Sequence, residues 1–302
     1  MKITVTGSLG YISTPLIKNL VKKGHLITVI SSNPEKKMLI EAMGAKAAIG
    51  TMEDLDFLTG TFTGADAVYC MLAPYGNLGD PNNSANAIVA LADIVANNYV
   101  QAIKRSGVKR VVYLSSIAAD MEKGAGLIVI HHHGENTLNT LPVNVNISFI
   151  RAGGFYKNFL GYVNPIKNQN IMAANYGGND IAVFVSNIDI ADAIAEELES
   201  HAEGRKIRYV ASDELTCDEV AGILGNAIGK PDLNWITVSD EQQLAGLKAH
   251  GMNDSVAHEF VQMNASIHNG SFYKHYNQNK PILGKVSLKE FAKEFAAVYH
   301  QQ

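Results

Sequence analysis

Short, β-branched apolar runs alternate with longer helix-like stretches from the first residues of this chain to Arg151, and few folds accommodate that rhythm. The runs fall at 2–6, 26–30, 46–49, 67–71, 110–114 and 146–151. Several, such as Leu26-Ile27-Thr28-Val29-Ile30, are apolar almost throughout rather than alternating, as a strand covered on both faces must be. Between them the pattern predicts helices over 11–23, 34–43, a short one near Leu55, 83–106 and 127–141, with Gly24, Gly44 and Gly107 as stops. Strand and helix taking turns in this way specify an α/β fold with a Rossmann-type, doubly wound parallel sheet.

After Arg151 the rhythm breaks at Gly153-Gly154 and a segment rich in Tyr, Phe and Asn follows. One further strand is expected at 207–211. Helices are expected over 216–228, with Thr216 as cap and Gly229 as stop, and over 241–250, 255–268 and 287–300. Asp189 and Asp192 read as helix caps. The chain thus divides into a dinucleotide-binding domain over 1–152 and a smaller C-terminal α/β lobe over 153–302 that faces the substrate. The boundary is soft, with segments exchanged across it.

The strongest local signal is Thr6-Gly7-Ser8-Leu9-Gly10-Tyr11-Ile12-Ser13, between the first strand and the first helix. A dinucleotide pyrophosphate must approach backbone N–H groups at a helix N-terminus, where the dipole favours negative charge. Side chains at Gly7 and Gly10 would block that approach, and Ser13 is small enough to let the helix pack on the sheet. The cofactor contacts expected here are Gly7, Ser8, Leu9, Gly10, Tyr11 and Ile12. The second strand ends without the acidic residue that would grip the adenosine ribose of NAD. Ser32, Asn33 and Lys36 can instead meet a 2′-phosphate, so NADP(H) is expected with a mild preference over NAD(H). The other reading of these three residues is a solvated helix start.

Composition narrows the function classes. A hydrophobic content of 47% with 18% charged residues implies a folded core, and a net charge of -4 argues against a nucleic-acid surface. No apolar run is long enough for a membrane span, and the N-terminal stretch is broken by Thr4, Thr6 and glycines, unlike a signal peptide. The expected compartment is the cytoplasm and the expected state a monomer or homodimer. Cys70 and Cys217 are read as small packed residues, and no metal site is expected. Three consecutive residues on a helix point in different directions, so His131-His132-His133 is no ready tridentate ligand.

The sequence resembles the NmrA-like group of atypical short-chain dehydrogenases/reductases along nearly its whole length. Thr6, Gly7, Gly10 and Ser13 follow that class's glycine pattern, and Ser32-Asn33-Pro34-Glu35-Lys36 is similar to its second-strand ending, with Ser32 where an arginine is usual. Gly50-Thr51-Met52-Glu53-Asp54 looks like its adenine-side turn. Ile150 to Phe159 looks like its sixth strand and the start of its pocket, and Val185 to Asp192 like its Asp-Ile-Ala-Asp turn. The resemblance implies an NAD(P)H-dependent oxidoreductase that transfers hydride directly to a small-molecule acceptor such as a quinone. The alternative it leaves open is a non-catalytic NAD(P)-sensing regulator.

The superfamily's Tyr-x-x-x-Lys pair is missing between Ser116 and Arg151. Counting back from Arg151 puts the lysine position at His131, with Glu135 one turn later, and the tyrosine position at Leu127. His131 is therefore the candidate catalytic residue, as proton source or ribose contact, against a plain helix-start histidine. Strand ends facing the nicotinamide lie at Met71, Leu72, Ala73 and Tyr75 and at Ser115 and Ser116, since ligands sit beyond the carboxyl ends of such sheets. Met71, Leu72, Ala73 and Ser115 are expected to touch the cofactor. Tyr75, Ser116, Phe155, Tyr156 and Phe159 are expected to line a substrate pocket, the aromatic residues either as walls for a flat acceptor or as core between the lobes.

Overall fold

The computed structural model describes residues 1–72, 80 and 82–301. Seven strands, β1 (Lys2–Val5), β2 (Leu26–Ser31), β3 (Lys46–Ile49), β4 (Ala67–Cys70), β5 (Arg110–Ser116), β6 (Asn146–Ala152) and β10 (Arg205–Val210), pair in parallel in the order β10-β6-β5-β4-β1-β2-β3. The order reverses between β1 and β4, which pair Val5 with Tyr69, so a crevice opens at their carboxyl ends. Helices α1 (Ser13–Lys22), α2 (Lys37–Ala42), α3 (Leu55–Phe62), α4 (Ala85–Ser106) and α5 (Val129–Leu138) make the crossovers. Leu58, Phe62, Tyr99 and Ile130 of α3, α4 and α5 share a core with Val68 and Val111 on one face of the sheet. Leu16, Ile17 and Leu20 of α1 pack with Val5, Val29 and Tyr69 on the other.

Local chemistry sets the ends of these helices. Ser84 caps α4 by accepting from the N–H of Ala87 at 3.2 Å, and Gly107 closes it in the left-handed region at φ 76°. The observed α1 starts two residues later than expected, because the first turn after Gly10 is spent in the loop.

The C-terminal half adds β7 (Gly154–Phe155), α6 (Val163–Gln169), β8 (Ile171–Ala174), β9 (Ile181–Val185), α7 (Asn187–Glu199), β11 (Asp213–Thr216), α8 (Cys217–Ala227), β12 (Asn234–Thr237), α9 (Asp240–Ala249), α10 (Asp254–His268), α11 (Lys274–Gln278) and α12 (Leu288–Gln301). Strands β11-β9-β7 and β12-β8 form two small sheets. Their aromatic core holds Tyr156, Phe159, Trp235, Tyr276, Phe291 and Phe295. Two of its elements belong to the large sheet instead: β10 pairs with β6, and α7 covers the same face as α1 through Ile190, Ile194 and Leu198.

Asp189 and Asp192 are not the caps expected of them. Ser186 caps α7, accepting from the N–H of Ile188 at 3.1 Å. The buried Asp189 carboxylate instead accepts from Ser212 Oγ at 2.6 Å and from the N–H groups of Lys285 and Val286 at 3.0 and 3.1 Å. It thereby ties down the strap that leads into α12. Asp192 accepts from Asn19 of α1 at 2.9 Å.

Gly284 lies against that carboxylate so closely that a Cβ there would sit 2.3 Å from Asp189 Oδ2. Gly284→Ala is expected to push the strap off Asp189 and cost about 1–3 kcal/mol. Urea unfolding of the variant beside the parent checks this; equal midpoints would mean that the strap contributes nothing.

Candidate functional site

The loop from Thr6 to Ile12 brings backbone close to the mouth of the crevice. Gly7 sits at φ +88°, and a Cβ there would lie 2.9 Å from Met71 Sδ and 3.0 Å from Ser13 Oγ. Conformation and space both demand glycine. Gly10 is different: its φ is ordinary, but a Cβ would come within 3.2 Å of the Gly7 carbonyl. Ser8 takes φ 55°, held by its N–H to Ile30 O (3.0 Å) and by its hydroxyl to Ser31 Oγ (2.8 Å). Ser13 does more than fit: its buried hydroxyl donates to Thr6 O at 3.1 Å. No side chain caps α1, whose N-cap is Ile12; Thr14 N–H is bonded to Gly10 O at 3.0 Å and Pro15 has none, so the amides a ligand would meet are those of the loop ahead of Thr14. A loop that excludes Cβ atoms in front of uncapped amides fits a pyrophosphate.

At the end of β2 the buried Ser31 is the organiser. It accepts from the N–H of Asn33 and donates to the Asn33 carbonyl, both at 3.2 Å. Asn33 spends its own side-chain oxygen on the N–H of Glu35 at 2.8 Å, leaving its amide NH2 for a ligand. Ser32 and Asn33 are exposed and Lys36 is half-buried. Ser31 had a signal in the Ser31-Ser32 pair, but nothing in a sequence tells which serine turns inward.

Met71 is half-buried and Leu72 buried at the end of β4. Thr6 Oγ1 accepts from Met71 N at 3.1 Å and Tyr99 OH donates to Met71 O at 2.8 Å, which hold that strand end beside the glycine loop. Ala73 and Tyr75 lie outside the described residues. Ser115 departs from its expected role. It is only 3% exposed, and its hydroxyl donates to Glu135 Oε1 at 2.5 Å, away from any ligand. Ser116, half-exposed, remains at the crevice. Glu135 in turn grips Arg151 through two bonds, at 2.9 and 2.7 Å. Arg151 also donates to Tyr209 OH at 3.0 Å and Asp120 at 3.3 Å, and Tyr209 OH lies 2.6 Å from His275 Nδ1. Burial opposes the guanidinium charge, but the bonds and attraction from Glu135 outweigh it and raise the Arg151 pKa.

The three adjacent histidines diverge as helical geometry requires. His132 Nδ1 meets Ala119 O at 2.9 Å and His133 Nδ1 meets Asp93 at 3.0 Å. His131 turns inward, its ring edge-on to Tyr113 at 6.5 Å, and its buried Nδ1 has no partner among the described residues. Burial drives its pKa down to about 4, so at neutral pH it is an uncharged imidazole. Uncharged, it is a weak proton source there. Leu127 is buried beneath Val256 of α10 in a cluster with Ala85 and Ile88.

The aromatic residues after β6 separate. Phe155 is half-buried against the glycine-loop core with Leu9 and Met71. Tyr156 and Phe159 are core, not pocket wall: they are 1% and 3% exposed, with Tyr156 stacked on Phe291 and Phe159 against Phe184. Tyr156 OH is also occupied, donating to Asp213 at 2.5 Å. The same segment supplies a contact unmarked in the sequence. Lys157 Nζ lies 5.0 Å from the Tyr11 ring centroid and pairs with Glu294 of α12, while Asn187 donates to Tyr11 O at 2.7 Å. The second lobe thus reaches the glycine loop. Among the described residues, no group of three His, Cys, Asp or Glu side chains could hold a metal, and no helix is long and apolar enough to cross a membrane.

Residues 1–287 match the model of the NmrA-like family. An uncharacterized protein of Schizosaccharomyces pombe is 23% identical over 252 residues, 80% of this chain and 84% of that protein. Cinnamoyl-CoA reductase 2 of Arabidopsis thaliana is 31% identical over 124 residues, 39% of this chain and 36% of its own. Among solved structures, the Citrobacter sp. triphenylmethane reductase complexed with NADP(H) superposes with a TM-score of 0.78 at 23% identity, over 97% of this chain and 99% of that one. An NADPH-dependent quinone oxidoreductase of Escherichia coli complexed with NADPH gives 0.79 at 20% identity, over 97% and 99%. These superpositions show a shared fold.

The neutral His131 generates a pH prediction. Its folded pKa lies below the ordinary value of 6.5, so the unfolded chain binds the extra proton first as pH falls. The native state should lose stability from about pH 6.5 down to about 4, and His131→Gln should remove that share. Between pH 7.5 and 4.5 the stability difference should move in the variant's favour by about 2 kcal/mol. Urea midpoints at the two pH values measure it; a constant difference would mean that His131 is not buried as described.

Proposed function

The chain belongs to the NmrA-like family, and on that footing we propose that it is an NAD(P)H-dependent oxidoreductase that passes hydride directly to a quinone-like acceptor. The observation that carries the reading is the loop at Gly7 and Gly10, where Cβ atoms are excluded in front of the uncapped N-terminus of α1. The bound dihydronicotinamide supplies the hydride. The chain's own residues bind and orient. Backbone amides of the loop take the pyrophosphate, Ser32, Asn33 and Lys36 meet the adenosine end, and His131 offers a neutral hydrogen bond at the other end.

The acceptor class follows from what the site lacks. Reduction of a simple ketone leaves an alkoxide that needs an acid as hydride arrives. On the count back from Arg151 the tyrosine position falls on the buried Leu127, and His131 is uncharged at pH 7. The anion of a reduced quinone is delocalised and far less basic, so water can protonate it afterwards. The named neighbours, a quinone and a dye reductase, are compatible with such acceptors.

Three outcomes are expected. Purified protein with NADPH should turn over quinones steadily and fail on simple ketones, and His131→Ala should lower the quinone rate by about tenfold or less. Efficient ketone reduction would overturn the acceptor class, and tight binding without turnover of any acceptor would favour a nucleotide sensor. Dissociation constants measured side by side should favour NADPH over NADH mildly, since no arginine stands at Ser32; a clear NADH preference would mean that Lys36 does not reach the ligand. Gly10→Val should abolish dinucleotide binding in calorimetry while the far-ultraviolet dichroism is retained. Undiminished binding would remove the site.

A further inference from the structure

The glycine loop presents a binding surface for two phosphate charges, yet it carries no cation of its own. Between Lys2 and Lys18 the sequence has no lysine or arginine, and Lys18 is exposed on the body of α1. A positive charge reaches the loop from the other lobe. Lys157, just after β6, extends its side chain to Tyr11, the residue following Gly10, and its ammonium sits 5.0 Å from that ring centroid. The side chain is only 14% exposed, with Phe291 of α12 on its other side at 6.0 Å. Its ion-pair partner is Glu294, whose own side chain is 48% exposed.

The arrangement is unusual for a surface ion pair. A lysine side chain has ample freedom to reach water, and exposed pairs hold it with 1 kcal/mol or less, roughly. Here the side chain is largely buried and its ammonium lies 5.0 Å and 6.0 Å from the ring centroids of Tyr11, just ahead of α1, and Phe291. Asn187, donating to the Tyr11 backbone carbonyl at 2.7 Å, is a second tie from the C-terminal half to the same residue. A pyrophosphate at the loop would be a stronger and more desolvated partner than the half-exposed Glu294 carboxylate.

We propose that Lys157 is a dinucleotide-binding residue that exchanges its Glu294 partner for the pyrophosphate, so that Glu294 competes with the cofactor for one ammonium group. The inference rests on the glycine loop's being the dinucleotide site. It makes the second lobe part of the phosphate cradle and gives opposite signs to the two members of one ion pair.

The test is calorimetric titration of the whole chain with NADPH and, separately, NADH. Lys157→Met, which keeps an apolar stem, should weaken both cofactors about tenfold. Lys157→Arg should bind like the parent. Glu294→Gln should tighten both by roughly two- to fivefold, and that gain should vanish in the Lys157→Met/Glu294→Gln double variant. Melting temperatures identify any variant that fails to fold, and Glu294→Gln, at an exposed position, keeps the test open if Lys157→Met does. Unchanged affinity in Lys157→Met, weaker binding in Glu294→Gln, or an effect confined to NADPH would overturn the proposal, the last by pointing to the 2′-phosphate. A parent protein that binds neither cofactor would instead overturn the site itself.

Discussion

The charge on Arg151 is the constraint around which the two halves of this protein are assembled. It sits on β6, opposite Ser115 of β5 on one side and Tyr209 of β10 on the other. Its guanidinium is shared among Glu135 of α5, Asp120 after β5, and Tyr209, which continues to His275 of α11. A buried pair of this kind is a poor source of net stability, because desolvation offsets most of the attraction. Removing either partner, however, would strand the other charge at a cost of about 3–5 kcal/mol. The elements that supply the partners are therefore bound to one arrangement. Helix α5 has to lie where Glu135 meets Arg151, and the helix turn that carries His131 is placed along with it.

The same arrangement explains why the crevice is chemically quiet. The Ser115 hydroxyl and the Glu135 carboxylate, polar groups close to the strand ends, are consumed by one another and by Arg151. His131 is left uncharged by burial. Among the described residues, half-exposed Ser116, the backbone of the glycine loop and the half-buried Leu9, Met71 and Phe155 remain for a ligand.

The first half of the chain was legible because its signals are local. Buried parallel strands are continuous apolar runs, and the Gly7 turn is forced by a positive φ that its own residue type announces. The Thr216 cap of α8 was legible for the same reason, and Glu219 completes it as a capping box in the structure. Where the reading failed, the deciding partner lay far along the chain. Ser115 looks like a strand-end ligand until its hydroxyl donates to Glu135, and Asp189 looks like a cap until residues 285 and 286 fold onto it. Tyr156 and Phe159 form an aromatic cluster in the sequence, but Phe291, Phe184 and Trp235, all distant in number, make it core. Strands β7, β8, β9, β11 and β12 are two to five residues long, too short for a periodicity to develop, and α7 begins at Ser186 directly after the apolar run of β9, within the stretch read only as an Asp-Ile-Ala-Asp turn.

Gly126 also bears on how α10 is seated. Leu127 beside it is sealed under Val256 of α10, and a Cβ on Gly126 would stand 2.1 Å from Glu259 O. A backbone without a Cβ is therefore what lets α10 come down onto the turn that leads into α5. Any side chain at position 126 would have to lift that helix before it could fit, so the smallest residue in the segment sets how tightly the two are clamped.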